Sequence, residues 1–566
     1  MGLTLALNTS LNGLSLNETE INVLGNNIAN AGTTGFKSSN VSFATQLADT
    51  LSYGSAPSAT NGGTNPLQIG LGATTSQISA DFSQGTIAAT TTPSDLAIQG
   101  SGFFILSQAS GGNVYTRDGS FALDSSNDLT SASGQQVMGY GVDGNFNLVT
   151  TGLQALTIPL GSLQLAEQTS NITMGGALSP QGTVATKGTL QTSQALVDNS
   201  GNAPVTATAN TLLVSLATAT SPATNLYNVG DVISFAPTKG GQTMATKTMT
   251  VTGTTTVSDL ESFMSGTLGL QSGNGVPVDA DGIPVGVSIN SSGQLLVKGN
   301  RGTVDDFSIP VGSMTDGGSA VPITFTPSAT TADGASATTT FTIYDSLGTP
   351  LNVRMTAYME SQSANNTTYR YMLESADQSG NNIAIGNGTI SFDNTGHVSS
   401  TPTAQFAVDR SSTSATNPML VTLDLSQLSG ISSSGSTLNL VSQNGTSPGT
   451  LTSYVIDNQG VINGAFTNGI TRTLGQVVLA RFPNPQGLIQ SGSNDFTQGV
   501  ASGLPQISAP GALGAGTIQA GALEQSNTDI GTNLVNLIVA STNYQGNARV
   551  ISSVDQLVQT LLTLGR

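Results

Sequence analysis

Apolar residues recur at every seventh position near both ends of the chain and hardly at all in the long stretch between. Near the start, Leu7, Leu14, Ile21 and Ile28 form one row, with Leu11, Leu24 and Ala31 filling the intervening step. Near the end, Leu523, Ile530, Leu537, Tyr544, Ile551 and Val558 repeat the pattern, joined by Leu534, Ala548, Val554 and Leu561. A row of that period is buried only when another helix lies along it. Residues 3–31 and about 524–564 are therefore predicted as two helical arms, the second about 60 Å long at roughly 1.5 Å per residue. Ser526, Asn527, Thr528 and Asp529 supply its start signal, a hydroxyl for the free N–H groups and an acid in the first turn. Asn, Gly and Thr interrupt both arms, at Asn22, Gly25, Asn26, Thr532, Asn533 and Gly546 among others, so intrinsic helix propensity is poor. The arms are accordingly expected to be largely disordered in a free monomer and to fold on assembly.

Between the arms the apolar period shortens to two, with turn residues as punctuation. Asp118-Gly119, Asp143-Gly144 and Asp457-Asn458-Gln459-Gly460 each sit between alternating segments and predict hairpins. Thr256 to Met264 departs from this: a capping residue precedes Leu260, Phe263 and Met264 at helical spacing, so a short helix is predicted among strands. The chain reads as mainly β with α-helical termini, multi-domain and discontinuous.

Composition narrows the role. Only 8% of the 566 residues are charged, against about 25% in an ordinary globular domain, which leaves a surface of Ser, Thr, Asn, Gln and Gly. A net charge of −18 without any cluster of Lys and Arg argues against nucleic acid. Without cysteine there is neither a disulfide framework nor a thiolate metal site, and rigidity has to come from packing and assembly. No basic stretch with a cleavage site opens the chain and no run of 18 apolar residues occurs, so neither a cleavable signal peptide nor membrane insertion is expected.

Chemistry finds little footing. The single histidine, His397, reads as an exposed turn residue with no nucleophile elbow beside it. Asp279-Ala280-Asp281-Gly282 has the start of a calcium loop but Asn290 stands where the loop needs its glutamate. The glycine-rich run 511–517 lacks the Lys-Ser/Thr of a phosphate loop and is expected to be a flexible joint before the second arm. No catalytic, cofactor or metal site is assigned, and the chain is not expected to be an enzyme.

The segment Asn26-Asn27-Ile28-Ala29-Asn30-Ala31-Gly32-Thr33-Thr34-Gly35-Phe36-Lys37 resembles the signature of the rod and hook proteins of the bacterial flagellum. Residues 81–85, 95–104, 115–121, 480–488 and 521–527 are similar to further segments of that family in the same order, and residues 341–348 resemble a strand and turn of its hook members. One run departs: where the family's last helix carries Gln-Arg-x-Tyr-Gln-Ala-Asn, this chain has Ser541-Thr542-Asn543-Tyr544-Gln545-Gly546-Asn547, without the Arg.

The resemblance implies a hook subunit that self-assembles into a flexible curved tube and couples motor torque to the filament. It implies as partners other copies of the chain, a distal rod protein, a hook cap protein, a hook-filament junction protein and the flagellar type III export apparatus. It also implies an extracellular place in the hook and basal body. The expected domains are a terminal helical polymerisation domain (1–70 and 520–566), an inner β domain (71–151 and 451–519), an outer β domain (152–187 and 336–450) and an inserted, outermost α+β domain (188–335). The expected polymerisation interface comprises Leu7, Leu11, Leu14, Ile21, Leu24 and Ile28 on the first arm. On the second it comprises Leu523, Ile530, Leu534, Leu537, Tyr544, Ile551, Val558 and Leu561. A distal rod protein of the same family and a secreted β-rich adhesin remain as alternatives.

Overall fold

The computed structural model describes residues 2–108, 111–273 and 275–564. Three α-helices occur among them: α1 (Gly2–Ala29), α2 (Val257–Thr267) and α3 (Ile530–Leu564). The remaining regular structure is almost entirely β, so the mainly β reading with helical ends holds. The chain forms two compact units, residues 1–164 with 450–566, and residues 165–449.

The first unit interleaves the two ends of the sequence. Its six-stranded sheet runs Ile489–Gly492, Asp495–Thr497, Asn113–Thr116, Phe103–Ser107, Leu479–Arg481 and Gln506–Ser508, so two strands from before the second unit are flanked on both sides by strands from after it. Phe103, Ile105, Tyr115, Val478, Phe482 and Phe496 form its core, with rings meeting edge to face at 5.3 Å for Phe82–Phe103 and 4.8 Å for Tyr115–Phe482. Between α1 and this sheet run two antiparallel ribbons, Ser39–Thr45 with Ala73–Ala80 and Ala48–Ser52 with Leu67–Gly70.

Two of the three predicted hairpins are present, Val142 pairing Leu148 and Ile456 pairing Ile462. The third is not a hairpin: Asn113–Thr116 pairs inside the six-stranded sheet, whereas Phe121–Leu123 pairs Leu129–Ser131. Gly119 lies so close to the Leu96 carbonyl that a side chain has no room there, and Asp118-Gly119 carries the chain from one sheet to another. The glycine-rich run 511–517 is a closed turn, with the Gly511 N–H donating to the Gly516 carbonyl at 3.0 Å. Strands Thr517–Ala520 and Ala522–Glu524 follow it, so it does not join directly to the second arm.

The second unit contains an antiparallel meander, Ser336–Tyr344, Pro350–Gln362, Asn366–Glu374 and Ala384–Asp393, which shares a core with the sheet of Thr403–Val408, Met419–Ser429, Asn171–Ala177 and Asn439–Gln443. Residues 188–335 add the predicted α+β part. Thr256 caps α2 in a reciprocal capping box with Asp259, and Leu260, Phe263 and Met264 face the core.

Here the scarce charges are inside. Lys239, fully sequestered, lies against Glu374 and 3.4 Å from Asp305. Desolvation is the largest single influence on Lys239 and pulls its pKa down, but the Asp305 and Glu374 charges together outweigh it and leave the ammonium above its ordinary value. Lys298 meets both Asp279 and Asp281 at 2.6 Å, and Arg301 meets Asp279 at 2.7 Å. The carboxylates of the calcium-like turn are thus neutralised by side chains of the chain itself. His397 sits at the exposed tip of the turn closed by the Phe392–Val398 bridge, its Nδ1 2.7 Å from Thr395 Oγ1.

Candidate polymerisation surface

Helices α1 and α3 pack antiparallel. Asn27 Nδ2 donates to Asn533 Oδ1 at 3.2 Å, and a Cβ at Gly13 would lie 2.7 Å from Asn547 Nδ2. Asn27 and Gly13 are two heptads apart on α1, as are Asn533 and Asn547 on α3, so the pairing keeps one register over that length. The positions buried along it are Ser10, Leu24 and Asn27 on α1 and Ala540 and Val554 on α3. This contact is built largely from small and polar residues, which let two backbones approach closely.

The helices tolerate so many hydroxyl residues because these bond to their own turn. Thr9 Oγ1 donates to the Leu5 carbonyl at 2.9 Å, Thr542 Oγ1 to Ile538 at 2.8 Å and Ser553 Oγ to Arg549 at 2.9 Å. The start of α3 is capped by Asp529 rather than Ser526, its Oδ1 accepting from the Thr532 N–H at 3.1 Å. In contrast to the expectation of disordered arms, the single chain holds both helices formed and paired. The local hydroxyl bonds and the anchor described below supply what weak propensity does not.

The predicted interface residues divide by location. Leu24 is buried in the helix pair, and Leu7, Leu14, Ile21, Ile28, Leu537 and Ile551 are half-buried. Leu11, Ile530, Leu534, Tyr544, Val558 and Leu561 are exposed, and so are Val535, Ile538, Val539, Leu557 and Leu562, which the heptad rows do not include. Ile538, at 66% exposure, is a large aliphatic group on an already paired helix with nothing packed over most of it. Leu523 is a correction: it lies on the strand Ala522–Glu524, paired to Ile87–Ala89, and not on the helix. The apolar period continued across a strand by coincidence of spacing.

The signature residues form the anchor of this pair. After Ala29 the helix is closed by the Asn30 N–H on the Asn26 carbonyl, and the chain turns back through Gly35. Gly35 has φ +66°, and a Cβ there would stand 2.6 Å from the Asp118 amide nitrogen, so both conformation and space require glycine. Phe36 is buried beyond it. Lys37 Nζ reaches Glu524 Oε1 at 2.6 Å and the Ser83 carbonyl at 2.7 Å, while Arg117 Nη1 meets Glu524 Oε2 at 3.3 Å. The Gly85 N–H also donates to Glu524 Oε1, at 2.9 Å. Desolvation lowers the Lys37 pKa, partly offset by its bond to Glu524.

Two asparagines complete the frame. Asn27 bonds the Ser39 backbone in both directions, at 2.8 and 2.9 Å. Asn527 accepts from the Ser38 N–H at 2.8 Å and donates to the Asp81 carbonyl at 2.8 Å. The outgoing and returning chains are thereby tied together at the base of the helices. Sequence reasoning singled out Asn27, Gly35, Phe36 and Lys37, took Asn527 only as part of a helix start, and gave Glu524 and Arg117 no role of their own. The available signal was scarcity: in a chain with so few charges, an acid just before a helical arm is worth a partner.

No group of three His, Asp or Glu among the described residues could hold a metal ion, and no described helix is long and apolar enough to cross a membrane.

Four family models match in order along the chain. They are "Flagella basal body rod protein" over residues 7–37 and "Flagellar hook protein FlgE/F/G D1 domain" over 97–196. "Flagellar basal body protein FlaE D2 domain" follows over 314–446, and "Flagellar basal body rod FlgEFG protein C-terminal" over 519–564. The flagellar hook protein FlgE of Borreliella burgdorferi is 28% identical over 99% of this chain and 99% of its own. The flagellar basal-body rod protein FlgG of Bacillus subtilis is 37% identical, but over only 27% of this chain and 57% of its own. The crystal structure of the Helicobacter pylori flagellar hook protein FlgE2 aligns with TM-score 0.37 and 19% identity, covering 77% of this chain and all of that one.

Proposed function

The chain belongs to the flagellar hook protein family, and from that premise we propose how it serves as the hook's structural subunit. The paired helices α1 and α3 form a preassembled hairpin whose outward apolar face is covered by the hairpins of sister copies, building the inner wall of a tube. The observation that carries this reading is the row of exposed Leu534, Val535, Ile538 and Val539 on a stretch of α3 that already has its intrachain partner. A contiguous apolar face of this kind marks an interaction surface, and burial of each such side chain against a neighbour is worth about 1.5–3 kcal/mol.

The helical hairpin makes the inner contact of this tube, and the β sheets make contacts of their own with neighbouring copies. The exteriors of the sheets are poor in basic charge because most Lys and Arg side chains are held in internal ion pairs, so neighbouring copies can shift past one another as the tube bends with few ion pairs to break. The assembled structure belongs to the hook and basal body of the flagellum, reached by the flagellar export apparatus, and it meets rod, cap and junction proteins at its ends. A rod protein is disfavoured, because likeness to the rod relative stops at about a quarter of this chain whereas likeness to the hook relative runs its length. A secreted adhesin is disfavoured on the same ground.

The test is electron microscopy of the purified chain under salting-out conditions. Tubes with a helical lattice are expected. A chain that stays monomeric under every condition would refute the proposal.

A further inference from the structure

The helices α1 and α3 carry four charged residues in all, Glu18 and Glu20 on the first, Arg549 and Asp555 on the second. Several bases elsewhere in the chain, among them Lys37, Lys239, Lys298 and Arg410, lie in buried ion pairs. Among the described residues the Arg549 guanidinium has neither an ion pair nor a hydrogen bond, and it is exposed. Glu18 is likewise exposed and without an ion pair, whereas Glu20 is half-buried.

The register of the hairpin gives these charges a direction. Arg549 lies two residues past Asn547, which faces Gly13, so it points roughly 200° round the helix from the intrachain contact. Glu18 lies five residues past Gly13, roughly 140° round α1 from the same contact. Both charges project away from the partner helix, among the exposed apolar groups. Because Asn547 is level with Gly13, Arg549 is level with Leu11, about 10 Å along the axis from Glu18 at roughly 1.5 Å per residue. Within one hairpin the two cannot meet.

We propose that Arg549 of one copy pairs with Glu18 of a neighbouring copy displaced by about 10 Å along the helix axis, and that this pair sets the axial stagger of the hairpins in the tube. The inference rests on the polymerisation reading above. The apolar face alone does not select a stagger, because one aliphatic contact can replace another when a helix slides by a heptad. The helices offer one base and two exposed acids, Glu18 and Asp555, and Asp555 already accepts from Gln559 Nε2 at 3.1 Å, so the base finds an unengaged acid at one displacement. Partial burial among the surrounding Leu, Ile and Val groups shields the pair from solvent and strengthens it.

The experiment compares the wild-type chain, Arg549→Glu, Glu18→Lys and the double variant carrying both, each assayed for sedimentable polymer and imaged at low ionic strength. Monomer unfolding is expected to be the same in all four, since neither side chain has a charged partner within the chain. Each single variant is expected to raise the concentration needed for polymer by about 5-fold or more, and the double variant to return it close to wild type with the same lattice. Wild-type tubes together with single variants that polymerise equally well, or a double variant no better than the singles, would overturn the pairing while leaving the polymerisation reading intact. A wild-type chain that forms no tubes would instead remove the reading on which the pairing rests.

Discussion

The helical arms and the β units solve the burial problem in opposite ways. In the β structure the aromatic and aliphatic groups are inside, and several bases are inside with them, each paired to an acid, as Arg410 is to Asp345 at 2.7 Å. In the arms the intrachain contact is made largely of Ser, Gly, Asn and Ala, and much of the aliphatic surface is left outside. The β units are complete as a single chain, whereas the arms are complete only in company. The difference separates what a substitution does to folding from what it does to assembly.

The sharpest break of that contrast is on the outward face of α3. Leu534→Asp combined with Ile538→Asp is expected to abolish polymer outright while changing monomer stability by no more than about 0.5 kcal/mol, because neither side chain is well packed in the single chain. Sedimentation and chemical denaturation of the same preparation check both halves. A large loss of monomer stability would mean that the outward face is covered within the chain.

At the anchor the two behaviours meet. Glu524→Ala leaves Lys37 and Arg117 buried without their acid and is expected to cost about 3–5 kcal/mol, read as a shift of the denaturation midpoint of the first unit. The same change should release α1 and α3 to protease first, since Glu524 ties the returning chain to the base of both helices. An unchanged midpoint would show that the anchor is not held by its charges.

In the second unit the expected effect is smaller and depends on pH. Burial is the largest single influence on Asp345 and pushes its carboxyl up, but the Thr349 and Leu347 amides and Arg410 together outweigh it and hold the pKa below the usual aspartate value. A depressed folded value means that the unfolded chain takes up its proton first. The stabilisation is therefore full above the ordinary aspartate pKa and is lost as pH falls from there through the lower folded value. Asp345→Ala is expected to cost about 3 kcal/mol near neutrality and to flatten that acid limb, as calorimetry across the acid range would measure. An acid limb identical to wild type would assign the sensitivity to other carboxylates.

Much of this molecule was legible beforehand, for identifiable reasons. The capping pair Thr256 and Asp259 and the spacing of Leu260, Phe263 and Met264 are local, and α2 forms where they indicate. The turns at Asp143 and Asp457 are local too. Asp118-Gly119 carries the same local signal and yet joins two sheets, because strand pairing is decided by which long-range partner the flanking residues meet. Leu523 shows the converse, a residue in step with a helical period that lies on a strand. The dodecamer from Asn26 to Lys37 was readable as a unit, but its purpose was not, since the partners of Lys37 and Asn27 include Glu524 and Asn533, 487 and 506 residues away.

The sequence by itself determined that two helical arms bracket a β body and that charge is scarce throughout. Those conclusions follow from periodicity and composition, which are properties of neighbouring residues and of totals. Only the tertiary structure decided which side of each arm meets the other and which is left bare, and which acid neutralises which base. A heptad row states that some helix must cover it without saying whose, and a buried charge finds its partner by proximity in space, which spacing along the chain does not encode.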